Sequence, residues 1–181
     1  MMRVITGTAR GRRLETPDGP ATRPTAARVK EAVFSIIQFE VEAARVLDLF
    51  AGSGQMGIEA LSRGARHCVF VDSDRAGQAA IRRNLEHTGL QENARLSGTD
   101  VLSYLSTAKG PVDIVFVDPP YQKGLIPAVL EKLAPLMRPG GAVICETAKG
   151  EELPACVGAL ELHRQYAYGK TAVSVYRARE R

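Results

Sequence analysis

Four acids stand at or near the ends of strand-like runs: Asp48 in ARVLDLF, Asp72 after HCVFV, Asp100 after ARLSGT and Asp118 after VDIVFV. The last is followed by Pro119, Pro120 and Tyr121. Proline fixes φ and carries no backbone N–H. An acid and two proline carbonyls therefore form a rigid group of acceptors, suited to an amino group on a planar base. Tyr121 can stack on the face of such a base. An amine conjugated with its ring is a poor nucleophile. Accepting hydrogen bonds from its N–H groups raises electron density on nitrogen and stabilises the positive charge that develops on alkylation. Asp118 can then take the proton, directly or through water. A bare strand terminator is the plainer reading, and the surrounding motifs outweigh it.

The second group is Gly52-x-Gly54-x-x-Gly57, placed after a strand and opening a helix. Glycines allow a tight turn and close approach to a ligand, and the helix start offers N–H groups. Asp72 follows Gly52 by twenty residues at the next strand end, the spacing of a carboxylate that holds ribose hydroxyls. Such a loop suits a nucleoside-containing cofactor, and a nicotinamide dinucleotide competes for it. Asp48 argues against the dinucleotide, because it would repel a pyrophosphate and attract an ammonium group. Asp100 can accept from a purine amine, and it can also cap the helix that follows it. S-adenosylmethionine, with an ammonium, a ribose, an adenine amine and no phosphate, fits this acid-lined set better.

These residues need a scaffold that brings strand ends together. From Ala44 onward the chain alternates strand and helix patterns. QMGIEALSRG reads as a helix ending at Gly64, and SDRAGQAAIRRNLEHTG as one capped by Ser73 or Asp74 and stopped at Gly89. GLIPAVLEKLAPLMRPGG reads as a helix ending at Pro139 and Gly140, before a strand AVICET. The tail LELHRQYAYGKTAVSVYRA reads as two strands joined near Gly169 and Lys170. Repeated βα units imply a parallel sheet covered on both faces. The expectation is an α/β, doubly wound, Rossmann-like sheet of seven strands, mainly parallel with an antiparallel edge strand. Ligands of such sheets bind beyond the carboxyl ends of the strands, at the switch in strand order.

Ahead of this core, residues 2–20 read as a small β-hairpin or arm, punctuated by Gly7, Gly11, Pro17, Gly19 and Pro20. Val29, Ala32, Val33, Ile36 and Ile37 then recur at helical spacing, with Thr25 as the expected N-cap. The division expected is a basic arm and helix over 1–40, packed on a core domain over 41–181.

At 181 residues, 45% apolar and 24% charged, the chain has the composition of a globular domain, not of a disordered one. No apolar run approaches a membrane span, and the first residues lack a secretory pattern, so a cytoplasmic location is expected. Cys68, Cys145 and Cys156 show no CxxC pairing, and His67, His87 and His163 show no ligand spacing, so no metal is expected. The net charge of +4 is concentrated: seven of the first thirty residues are Arg or Lys, against Glu15 and Asp18. A basic face of this kind can attract phosphate backbones.

Taken in order, LDLFAGSG, FVDSD, GTD and DPPY resemble the motifs of class I adenosylmethionine-dependent methyltransferases that act on exocyclic amines. Together with TRPTAARVKEAVFSII, GIEALSRGA and YGKTAVSVYR, essentially the whole chain resembles the RsmD family, bacterial methyltransferases of guanine N2 in small-subunit (16S) ribosomal RNA. The resemblance implies cofactor contacts from Asp48, from Ala51, Gly52, Ser53, Gly54 and Gly57, from Asp72 and Ser73 at the ribose, and from Asp100 and Val101 at the adenine. It implies a target-base clamp of Asp118, Pro119, Pro120 and Tyr121, and RNA-phosphate contacts from Arg10, Arg12, Arg13 and Arg23. The second-strand acid is often glutamate in that family, and here it is Asp72. The implied partner is 16S RNA within the small ribosomal subunit or an assembly intermediate, met by a monomer. DPPY is shared with adenine-N6 DNA methyltransferases, so that activity stands as the alternative. A nicotinamide-dependent oxidoreductase and a non-catalytic RNA-binding module stand behind it.

Overall fold

The structure is a computed structural model that describes residues 2–19, 25–120 and 124–180; Arg23 and Tyr121 lie outside the described residues. Strands β1 (Arg45–Leu49), β2 (His67–Val71), β3 (Ala94–Ser97), β4 (Val112–Val117) and β5 (Met137–Ala148) are parallel, in the order β3-β2-β1-β4-β5. The chain begins the sheet at β1, builds outward to β3 and returns to the other side of β1 with β4. The switch in strand order therefore lies between β1 and β4. Beyond β5 the sheet turns antiparallel through β6 (Cys156–Val157), β7 (Leu160–Tyr168) and β8 (Thr171–Ala178), in the order β5-β8-β7-β6. The two-residue β6 is an eighth strand added to the seven expected.

Alternation along each strand sorts side chains into two cores. Val46, Phe70, Ile114, Phe116 and Ile144 face one side with helices α1 (Ala27–Ile36), α2 (Gln55–Ser62) and α3 (Arg75–Thr88). Leu47, Leu49, Val115, Val117 and Cys145 face the other with α4 (Val101–Thr107) and α5 (Leu125–Leu133). This double covering is why the strands read as near-continuous apolar runs.

Two expected boundaries are corrected. Thr25 is not the N-cap of α1; that place is taken by Ala26 without a side-chain cap bond, and the Thr25 hydroxyl instead donates to Glu146 Oε2 at 2.8 Å. A hydrogen bond to a carboxylate is stronger than one between neutral groups, and it wins the hydroxyl. The fifth helix stops at Leu133, not at Gly140: a 3₁₀ turn over Ala134–Leu136 leads straight into β5. Pro139 and Gly140 sit in that strand where the register to β4 jumps between Val112 and Ile114, an irregularity that tolerates a residue without an N–H.

The N-terminal arm is bolted to the core. Arg3 bridges Arg13, and Val4 N–H donates to Arg12 O at 2.9 Å, making the small hairpin the sequence suggests. Glu59 of α2, fully buried, accepts from Ile5 N–H at 2.8 Å and Thr6 N–H at 3.0 Å. It also pairs with Lys30 at 3.1 Å and Arg63 at 2.9 Å. Burial pushes the Lys30 ammonium below its ordinary pKa, and Glu59 opposes that. Asn84 of α3 completes the attachment: it accepts from Glu15 N–H at 2.8 Å and donates to the carbonyls of Glu15 and Ser53, each at 2.9 Å. One amide thus fastens the arm to the glycine loop.

Candidate active site

A cavity of about 560 Å³ opens at the carboxyl ends of the parallel strands, a volume within the range of small-molecule sites. The loop after β1 lines it with Ala51, Gly52 and Ser53, the turn after β2 with Asp72 and Ser73, and the turn after β3 with Asp100 and Val101. The end of β4 contributes Asp118, Pro119 and Pro120, and Glu146 comes from β5. Asp48 reaches the cavity from within β1, and Thr25, Ala26 and Val29 close it from the α1 side. Two segments far apart in sequence, the glycine loop and the Asp-Pro-Pro corner, therefore face one hollow.

The loop's shape follows from three residues in the left-handed region: Phe50 at φ 58°, Gly52 at 60° and Gly54 at 79°. Glycine adopts this region freely, whereas Phe50 is strained there, and the strain turns the chain sharply off β1. Gly57 has a different role. A Cβ at that position would lie 2.4 Å from the Phe70 ring and 2.7 Å from Cys68 Sγ, so only glycine lets α2 pack this closely on β2. Gly54 and Gly57 shape the wall from behind, while Gly52 forms part of it.

The loop's N–H groups end on the protein's own acids and carbonyls. Gly57 N–H donates to Asp48 Oδ2 at 2.9 Å, Gly52 N–H to Asp72 Oδ2 at 2.7 Å, and Gly54 N–H to Ala51 O at 2.8 Å. In a dinucleotide site, such a loop and helix start would present donors to a pyrophosphate. Here carboxyl groups already occupy two of those donors, so a phosphate would find them taken. The lining suits a ligand with cationic and hydroxyl groups.

Burial sets the state of these acids. Asp48 is only 3% exposed, and its pKa is pushed up to about 8 by burial, with Asp72 adding to the rise and the Gly57 N–H opposing it. Asp72 is half-buried and raised by burial, while N–H groups of Asp74 and Gly52 hold it down. Asp74 is spent on capping α3, accepting from Gly77 N–H at 3.0 Å, which leaves Asp72 as the acid of this strand end directed to the loop. Asp100 is exposed, and hydrogen bonds from Ser103 lower its pKa; it caps α4 as well as lining the cavity. Asp118 stands well above the usual carboxylate range because of burial, then Glu146, then Asp48.

Glu146 and Thr25 are residues that sequence reasoning missed. The signal for Glu146 was available, since it too is an acid ending a strand, AVICET. Nothing in the sequence places Thr25 there; its position depends on how α1 lies over the sheet. Gln55 Nε2 donates to Thr25 O at 3.0 Å and holds that approach from the glycine-loop side. Arg10, Arg12 and Arg13 are exposed on the hairpin and are not part of the cavity lining. Pro17, from the same arm, does line it.

The family model described as "Conserved hypothetical protein 95" matches residues 2–177. The Bacillus subtilis (strain 168) protein YlbH is 39% identical over 183 residues, covering 98% of this chain and all of that protein. "Ribosomal RNA small subunit methyltransferase D" of Escherichia coli (strain K12) is 36% identical over 181 residues, covering 97% of this chain and 89% of the relative. The solved structure of Escherichia coli yhhF superposes with a TM-score of 0.88 at 34% identity, over 99% of each chain.

Proposed function

The chain belongs to the Conserved hypothetical protein 95 family, the RsmD family its motifs resemble, and from that premise we propose that it transfers a methyl group from S-adenosylmethionine to the exocyclic N2 of a guanine in small-subunit (16S) ribosomal RNA. The observation that carries this reading is the shared cavity, in which the acid-satisfied glycine loop and the Asp118-Pro119-Pro120 corner face each other. S-adenosylmethionine supplies a methyl group on a sulfonium centre, ready for in-line displacement.

The chain's own residues do the rest. Asp48 receives the cofactor's ammonium, Asp72 and Ser73 the ribose hydroxyls, and Asp100 and Val101 border the adenine. Ala51, Gly52 and Ser53 form the floor, shaped by Gly54 and Gly57. Asp118 and the carbonyls of Pro119 and Pro120 accept the hydrogens of the target amine, and Tyr121 stacks on its ring. The amine is thereby held against the methyl, so positioning and charge stabilisation supply most of the acceleration. Asp118 accepts the proton released from the methylated amine. The guanine must leave its stack to reach this depth.

Residues 1–40 act as the RNA-facing part of the molecule, with Arg10, Arg12, Arg13 and Arg23 on phosphates, and residues 41–181 as the methyltransferase domain. So short an arm offers little sequence readout, which favours a folded ribonucleoprotein, the subunit or an assembly intermediate, bound by a monomer in the cytoplasm. Among the described residues no helix is long and apolar enough to cross a membrane.

The test is incubation of unmethylated small subunits with labelled S-adenosylmethionine, followed by mass spectrometry of the digested nucleosides. N2-methylguanosine is the expected product. N6-methyladenosine would overturn the substrate reading, and tighter binding of NAD than of S-adenosylmethionine would overturn the cofactor reading.

A further inference from the structure

Asp118 shares its end of the cavity with a second carboxylate. Strands β4 and β5 are parallel neighbours with Val117 opposite Cys145, so the next residues, Asp118 and Glu146, lie side by side. Alternation puts both side chains on the face of Phe116 and Ile144, the face that α1 covers. Thr25, buried just ahead of α1, sits over the pair: its Oγ1 is 2.8 Å from Glu146 Oε2 and 3.4 Å from Asp118 Oδ2. A hydroxyl has one proton to donate. The shorter contact gives it to Glu146, while burial and Glu146 itself keep Asp118 well above the usual carboxylate range. Both residues line the cavity, next to Pro119 and Pro120.

Two adjacent acceptors fit one nucleobase edge. Guanine's exocyclic amine is flanked by a ring N1–H, so its edge offers two donors side by side. The amines of adenine and cytosine are flanked on that edge by an unprotonated ring nitrogen, an acceptor that would face carboxylate lone pairs. We infer that Glu146 is the specificity-determining residue of the site: it accepts the guanine N1–H while Asp118 holds the N2 amine, and Thr25 positions it for that contact. This rests on the proposed guanine-N2 transfer and names the group that selects guanine among amine-bearing bases. A donor-to-acceptor mismatch against a half-buried carboxyl group costs more than a lost contact, which is how a small clamp can exclude adenine.

The experiment compares wild type with Glu146→Gln on reconstituted small subunits whose RNA carries either guanine or 2-aminopurine. 2-Aminopurine keeps the amine in place and lacks the N1–H. Wild type should methylate guanine about 10- to 100-fold faster than 2-aminopurine, in line with one well-placed base contact. Glu146→Gln, whose amide can donate as well as accept, should lose most of that ratio, and Glu146→Asp should keep much of it. Thermal melting of each variant, unchanged within a few degrees, separates base selection from folding. A wild-type ratio near one, or a ratio fully kept in Glu146→Gln, would overturn the role of Glu146 while leaving guanine-N2 transfer intact. Absence of N2-methylguanosine from the wild-type reaction would instead bring down the parent reading and this one with it.

Discussion

The two halves of the cavity hold their carboxyl groups in opposite ways. Beneath the glycine loop, Asp48 and Asp72 are fixed by N–H groups of the backbone they help to fold, Gly57, Gly52 and Asp74. Those bonds hold the loop's geometry with or without a ligand. At the other end, Asp118 and Glu146 stand at the ends of neighbouring strands beside the Thr25 hydroxyl, and Glu146 disfavours ionisation of Asp118. The first half is a finished wall. The second is a pair of carboxyl groups set side by side where the donors of an incoming base can reach them. A site for a tightly held cofactor and a transient base would be divided in just this way, because preorganisation lowers the cost of binding while charge stabilisation is most useful at the reacting atom.

The largest effect that would sharpen the contrast is on turnover. Asp118→Ala should lower methyl transfer to ribosomal subunits by about 10²- to 10³-fold, the range for removal of one group that stabilises developing charge. Affinity for S-adenosylmethionine, measured by calorimetry, should stay within about threefold. Equal losses in both measurements would break the division into halves. Next in size is the finished wall itself. Gly57→Ala forces a methyl group into the Phe70 ring and Cys68 sulfur, and the added bulk should cost about 1–3 kcal/mol of stability in urea unfolding. A variant as stable as wild type would show the loop half to be more yielding than its contacts suggest.

The smallest effect is a pH slope. Asp48 titrates at about 8 in the folded chain, against an ordinary value of 3.8. Between those values the folded protein keeps a proton that the unfolded chain has released. Stability contributed by this group is therefore complete below about pH 4 and declines as pH rises toward 8, by at most about 1.4 kcal/mol per pH unit. Asp72 and Asp118, also raised, act in the same direction. Asp48→Asn should make the decline in urea midpoint between pH 5 and 8 shallower. An unchanged slope would mean that Asp48 is already ionised in the folded state.

The elements of the core were largely legible before any coordinates. Near-continuous apolar runs mark β1, β2 and β4 because both faces of the sheet are covered, a period-3.6 stripe marks α1 because one face packs on the sheet, and Gly89 and Asp74 end α3 by local chemistry that needs no distant partner. The failures are places where a distant residue intervenes. Thr25 has the side chain of an N-cap, but a carboxylate 121 positions away takes its hydroxyl. Pro139 and Gly140 look like a helix stop, but a register jump against β4 absorbs them into a strand. Lys30 counts in the sequence toward the basic face of the first thirty residues, but the fold buries it against Glu59 of α2.

What the sequence determined by itself is the list of parts: the glycine turn, the acids at strand ends, the rigid Asp-Pro-Pro corner and the basic arm. Each depends on interactions within a few residues, and local interactions are written in local sequence. Only the tertiary structure decided that Asp118 and Glu146 stand side by side beneath Thr25, and that Asp48 is enclosed deeply enough to keep its proton near neutral pH. Strand order, register and the burial they impose are set by contacts between segments dozens of residues apart, and no short stretch of chain carries them alone.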